Sequence, residues 1–158
     1  MANRRALHIV RRVLPWVAGW FGFQAVVAVA GRLAARRLNE GDDTAARIRR
    51  VMTMGGVELR PTSPTLARVE LDLMMAGAQL DLTGTAPLPG GVDVVARMVM
   101  GGVEIRVPRD WQVWWEFRGV GGVSAEPDVQ RTTEWVGANL RLDARAVFGG
   151  VGIKSAGS

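Results

Sequence analysis

With one histidine, His8, and no cysteine, the chain lacks the parts for an imidazole acid/base pair, a Ser-His-Asp arrangement or a thiolate metal site. Acid/base chemistry would therefore fall to carboxylates. Glu58, Asp72, Asp81 and Glu104 recur at alternating positions, with Arg60 and Arg106 interleaved. A glycosidase needs two carboxyls facing each other across a cleft, whereas carboxylates and arginines alternating along strands form ion pairs on a solvated face. Asp42 and Asp43 have no further ligands spaced around them. The run Gly119-Val120-Gly121-Gly122 lacks the lysine and the strand-to-helix setting of a phosphate loop. Trp111, Trp114 and Trp115, with Trp135 further on, could stack bases only if basic residues were interleaved among them, and those are sparse. Core packing or a partner surface is the better reading of these rings. No catalytic residue, cofactor, metal or nucleic-acid site is expected.

The elements that must carry these residues are read from a phrase that returns along the chain. Met98 to Pro108 reads MVMGGVEIRVP; Met52 to Arg60 reads MTMGGVELR; Ala146 to Lys154 reads AVFGGVGIK. Looser copies lie at Leu73 to Asp81 and at Gly119 to Val123. Each copy alternates apolar and polar residues, the mark of a strand with one buried face. The parity slips by one residue across each glycine pair: Met98 and Met100 give way to Val103, Ile105 and Val107. The pairs Gly55-Gly56, Gly101-Gly102, Gly121-Gly122 and Gly149-Gly150 are accordingly corners that re-aim the chain and keep both apolar faces inward. The copy at Val120 departs from this, because its parity would turn Trp114, Glu116 and Arg118 inward; an irregularity near Gly119 is expected there.

The residues preceding the glycines, Met54, Met75, Met100, Val120 and Phe148, are spaced by 20 to 28 residues, a solenoid-like period. Stacked copies can bury what one copy cannot. The expected fold is mainly β, a short β-solenoid of about five Gly-Gly-cornered repeats with these markers as an internal ladder, preceded by one N-terminal apolar helix. A β-sandwich with similar hairpins is the competing architecture.

The net charge of +5 is concentrated before Val51, where Arg4, Arg5, Arg11, Arg12, Arg32, Arg36, Arg37, Arg47, Arg49 and Arg50 lie; beyond it acids slightly outnumber bases. Residues 13–31 are uncharged, with Trp16 and Trp20 toward one end, Phe21 and Phe23 further in, and Arg11, Arg12, Arg32, Arg36 and Arg37 flanking them. Nineteen residues of helix span about 28 Å, close to a bilayer's hydrocarbon core, and indole rings favour its interface. A single transmembrane helix is the leading reading. An interfacial helix, a cleaved signal peptide ending near Ala28-Val29-Ala30, and a helix buried in the fold are the others. Arginines flank both sides; the C-terminal flank has slightly more, which places the following domain on the cytoplasmic side of a single-pass membrane protein.

The expected organisation is a basic flank over 1–12, an apolar anchor helix over 13–38, a linker over 39–50, the β-repeat domain over 51–154 and a tail over 155–158. Turn chemistry separates the repeats at Pro61-Thr62-Ser63-Pro64, at 83–91 and at Pro108-Arg109-Asp110. The longest insertion, Ser124 to Asn139, is the loop most suited to contacts.

The phrases at 54–59, 99–111 and 147–151 resemble the C-terminal domain of the LiaF-like "cell wall-active antibiotics response" proteins, grouped with toastrack-type domains. The likeness covers about Arg47 to Lys154. It implies a membrane-attached β-solenoid serving envelope-stress sensing or signalling through protein contacts, with no catalytic residues. This chain differs in having one candidate span and in placing Met where many relatives have Phe. Membrane lipids, a protein partner and a second copy of the chain are the expected contacts, since a solenoid's open ends present unpaired strand edges. A self-stacking, filament-like structural protein is the alternative function, and a carbohydrate-active β-helix a third.

Overall fold

The computed structural model describes residues 38–85 and 88–156. The expected basic flank and, apart from Leu38, the anchor helix lie outside them. Among the described residues no helix is long and apolar enough to cross a membrane.

Six strands, β1 (Arg47–Leu59), β2 (Arg68–Asp81), β3 (Val92–Val107), β4 (Gln112–Ala125), β5 (Gln130–Arg131) and β6 (Leu140–Ser155), form one sheet in the order β1-β2-β3-β6-β4-β5. Every pairing between them is parallel. The hairpins of a sandwich are therefore not the architecture, and the mainly β, solenoid-like reading fits. Chain order is not stacking order, however: β6 is inserted between β3 and β4.

The apolar alternation decides what is buried. In β2, Val69, Leu71 and Leu73 are buried, then Ala76, Ala78 and Leu80; in β3, Val92, Val94, Ala96 and Met98, then Val103, Ile105 and Val107. All of these belong to one core cluster with the matching residues of β6, so the two halves of each strand share a single apolar interior. The parity slip is real, but it falls one step earlier than the glycine pairs. Two consecutive residues turn outward in each copy: Met74-Met75, Val99-Met100 and Val147-Phe148.

That corrects the expected internal ladder. Met54, Met75, Met100, Val120 and Phe148 are between 47 and 60% exposed. The residue that changes parity sits on the outside of the corner, where no described element packs over it. Strand β4 explains its own exception. It has one residue fewer at the corner, and its pairing with β6 shifts between Gly119 and Gly121. Parity then runs through unchanged: Val113 is buried, Trp115, Phe117, Val123 and Ala125 pack on the core, and Arg118 bonds Glu116 outside at 2.8 Å.

The glycines are required at particular corners. Gly119 and Gly121 have φ of +124° and +134°, and a Cβ on either would collide with the carbonyl oxygen of Ala146 or Gly149 in β6. The expected linker over 39–50 is also corrected at its end, because β1 starts at Arg47. Its earlier part is stitched to the β1 edge: Glu40 pairs antiparallel with Arg49, and the Asn39 Oδ1 accepts from the Val51 N–H at 2.7 Å. At the opposite edge β5 covers only Gln112 and Val113 of β4. Among the described residues, the later halves of β1 and β4 have no strand on their outer sides.

Opposite the corners, Leu66, Leu82, Leu88 and Trp111 close the interior from the turns. Trp111, 2% exposed, is thus a core residue and cannot present its ring to a partner. Its position directly after the Pro108-Arg109-Asp110 turn, with its N–H on the Pro108 carbonyl at 3.2 Å, folds the ring under the sheet.

Candidate interaction surface

Parallel register converts a repeated phrase into rows that run across the strands. Met54, Met75, Met100 and Phe148 stand side by side, and Met74, Val99 and Val147 precede them on the outer face. With Val120 these side chains make an apolar ridge along the outside of the corner. At a strand spacing of about 4.8 Å its five-strand length is about 19 Å. Isolated exposed apolar residues need no explanation, but a contiguous row of this kind marks a contact surface.

One step before the ridge lies a second row, Asp72, Arg97, Arg145 and Arg118 on β2, β3, β6 and β4. Three arginines side by side repel one another; acids hold them in place. Arg97 bonds Asp72 at 2.9 Å, Arg145 bonds Asp143 at 3.2 Å and Arg118 bonds Glu116 at 2.8 Å. The hydrogen bond to Asp72 raises the Arg97 pKa, and that to Glu116 raises the Arg118 pKa, so both remain charged throughout the ordinary pH range. Between the arginine row and the ridge runs an open groove of about 620 Å³, lined by Met74, Val99, Val147, Arg97, Arg118 and Arg145 among others.

Beyond the corner the outer face differs. Gly56, Gly77, Gly102, Gly150 and Gly122 form a row of bare backbone, followed by Glu58, Gln79 and Glu104. The expected ion pairing of these carboxylates is present, but much of it runs along one strand at i, i+2 as well as between strands. Arg106 bonds Glu104 at 3.3 Å within β3, while Lys154 reaches Glu104 from β6 at 3.0 Å.

Two of these carboxyls are held below the usual range. Asp81 is lowered chiefly by the Thr83 hydroxyl, which donates to it at 2.6 Å, and further by Arg60 and Arg106; Glu104 is lowered chiefly by its bond to Lys154. A carboxyl whose pKa is lower folded than unfolded contributes stability that is complete above the unfolded value and lost as pH falls through the folded one. Thermal melts should accordingly hold steady from neutral pH down to roughly pH 5 and decline below the ordinary values of 4.5 for Glu and 3.8 for Asp. Glu104→Gln should flatten part of that decline; an unchanged profile would refute the assignment.

Of the rings read as a partner surface, Trp111 is buried, Trp114 and Trp115 are half-buried, and Trp135 is 53% exposed. Arg131 lies over Trp115 at 4.3 Å and Arg141 over Trp135 at 4.8 Å. The rings do not form one cluster, and only Trp135 presents a largely open face. The corner glycines are brought together: Gly55, Ala76, Gly101 and Gly149 form one row, with Gly121 against Gly149. The membrane-anchor residues lie outside the described part. Sequence reasoning missed the ridge and the arginine row. The signal was available in the apolar doublets, since two neighbours on one strand cannot both face inward.

Among the described residues no group of three or more His, Asp or Glu side chains could hold a metal ion. The fold and surface define a class: a parallel β protein with an exposed apolar ridge along one corner. Compared with family models, curated proteins and solved structures, the chain matches none.

Proposed function

We propose that this protein is a non-catalytic, membrane-anchored scaffold or regulatory subunit of the bacterial envelope-stress response, with a short β-solenoid of Gly-cornered repeats working through protein contacts on the cytoplasmic side. The observation that carries the reading is the ridge. A sheet that otherwise buries its apolar residues in strict alternation leaves a whole row of them outside, next to fixed arginines. The basic-flanked apolar run over 13–31 supports the anchor, and the likeness of 54–59, 99–111 and 147–151 to LiaF-like domains supports the setting.

In cells making the full chain with a C-terminal tag, the protein should pellet with membranes, resist carbonate extraction, and keep its tag protected when spheroplasts are treated with protease. Recovery in the soluble fraction would refute the anchor, and cleavage of the tag would refute the cytoplasmic placement.

A self-stacking structural protein is the second reading, favoured by the later halves of β1 and β4, which lie at opposite edges of the sheet and have no strand on their outer sides among the described residues. Head-to-tail parallel addition would join those two edges. Filaments of the full chain under electron microscopy would move this reading ahead.

A further inference from the structure

We propose that the corner ridge docks on the surface of an anionic lipid bilayer, with Met54, Met75, Met100, Val120 and Phe148 entering the headgroup boundary and Arg97, Arg145 and Arg118 meeting lipid phosphates. The proposal rests on the membrane-anchored reading and deepens it: the repeat domain lies against the membrane instead of hanging from it.

Shape favours lipid over protein. The ridge lies on the outside of a corner, so a rigid partner would need a groove cut to fit it. The acyl–headgroup boundary deforms around such a feature, and flexible Met side chains suit a fluid contact. The charge pattern points the same way. On one flank the row Asp72, Arg97, Arg145 and Arg118 runs parallel to the ridge, its arginines paired with Asp72, Asp143 and Glu116 and offering their remaining N–H donors outward, while the other flank begins with bare glycines and continues to Glu58 and Glu104. Guanidinium groups at headgroup depth beside an inserted apolar row match the layering of an anionic leaflet, and their planar forks suit phosphate oxygens.

Chain connection supplies the third argument. Because Glu40 pairs antiparallel with Arg49 and Asn39 holds Val51, the chain ahead of Glu40 heads toward the corner end of β1. Arg32, which bounds the uncharged run over 13–31, lies six residues before Leu38, a reach of at most about 20 Å. The β1 end of the ridge is thus tethered close to the membrane.

The chain has no cysteine, so single labels are clean. The full chain carrying Met100→Cys, labelled with an environment-sensitive fluorophore, is reconstituted into vesicles of phosphatidylcholine with roughly one-third phosphatidylglycerol. Gly90→Cys, in open space at the turn before β3 and about 30 Å from the corner, is the control. Doxyl-labelled lipid should quench the Met100 label and spare the Gly90 label. Replacing Arg97, Arg118 and Arg145 with Gln should lower the ratio of docked to undocked domain by roughly tenfold, less than three unpaired arginines would because each is already bonded to an acid, and added salt should weaken docking of the otherwise unchanged chain even if that triple variant folds poorly.

Flotation of the chain with the vesicles separates the two readings. If it floats and the Met100 label is not quenched by lipid, the docking fails and the anchor stands. If the label is shielded from both lipid quencher and aqueous iodide, protein covers the ridge and the docking fails. Equal quenching on pure phosphatidylcholine overturns the anionic assignment. A chain that does not float overturns the anchor and the docking together.

Discussion

Gly121→Ala should cost the fold about 3 kcal/mol or more, from the sum of a forbidden backbone conformation and a collision that nothing flexible can relieve. At Gly121 φ is +134°, and the new methyl would run into the Gly149 carbonyl oxygen, part of the β6 backbone at the corner. Carbonyl and glycine belong to adjacent laddered strands, so relief requires opening the β4–β6 pairing where β4 already makes its register shift. For a domain of this size the loss amounts to a fall of roughly 10 °C in melting temperature. The neighbouring Gly122→Ala is the control. Its Cβ would meet nothing within 4 Å and its φ lies outside the left-handed region, so it should be neutral or slightly stabilising through reduced freedom of the unfolded chain. Equal melts for the two variants would mean that the corner is not built this way.

Trp111→Ala should be the most damaging change among the tryptophans, at about 3–5 kcal/mol. The ring is 2% exposed in the main core and closes the interior beside Val107 and Val113. Truncating it removes most of an indole's buried surface and leaves a cavity between the turn and the sheet. Trp135→Ala should cost no more than about 1 kcal/mol, since that ring is 53% exposed and its described ring contact is Arg141. Urea titrations of both variants test the contrast. A Trp111→Ala midpoint equal to that of Trp135→Ala would place the Trp111 ring outside the core.

Much of the sheet was legible because alternation is a local property. Val69, Leu71, Ala78, Leu80, Val103, Ile105, Val151 and Ile153 all face inward as the period-2 pattern requires, and the slip in parity located each corner to within two residues. Which side of the corner the markers occupy was not legible. Met100 keeps the parity of Met98, so counting by twos places it inside; the chain bends ahead of the glycines, so Val99 and Met100 both face outward, as Met74 and Met75 do before Ala76. The missing residue in β4 left a trace, the apparent inward turn of Arg118, but only pairing with β6 reveals it as a deletion. Strand order was hidden for a deeper reason. Copies of one phrase fit one another in any sequence, and the distance between Val107 and Leu140 does not say which neighbour each selects. The ridge was overlooked because apolar residues in a repeat were assigned to the interior by default, although the Val147-Phe148 doublet breaks alternation on its own.

The place of β6 in the sheet affects how the molecule comes into being. In a serially wound array each new unit docks on the one before it, and assembly can track synthesis from the first residue to the last. Here β4 leaves the ribosome with no neighbour but the two-residue β5, because the strand it rests on, β6, is made after both of them. Only when Leu140–Ser155 emerges can it slip between β3 and β4 and join them. Strand β6 is a keystone, so closure of the sheet is a single event and not a gradual extension, and β3 keeps one edge uncovered until β6 has been made.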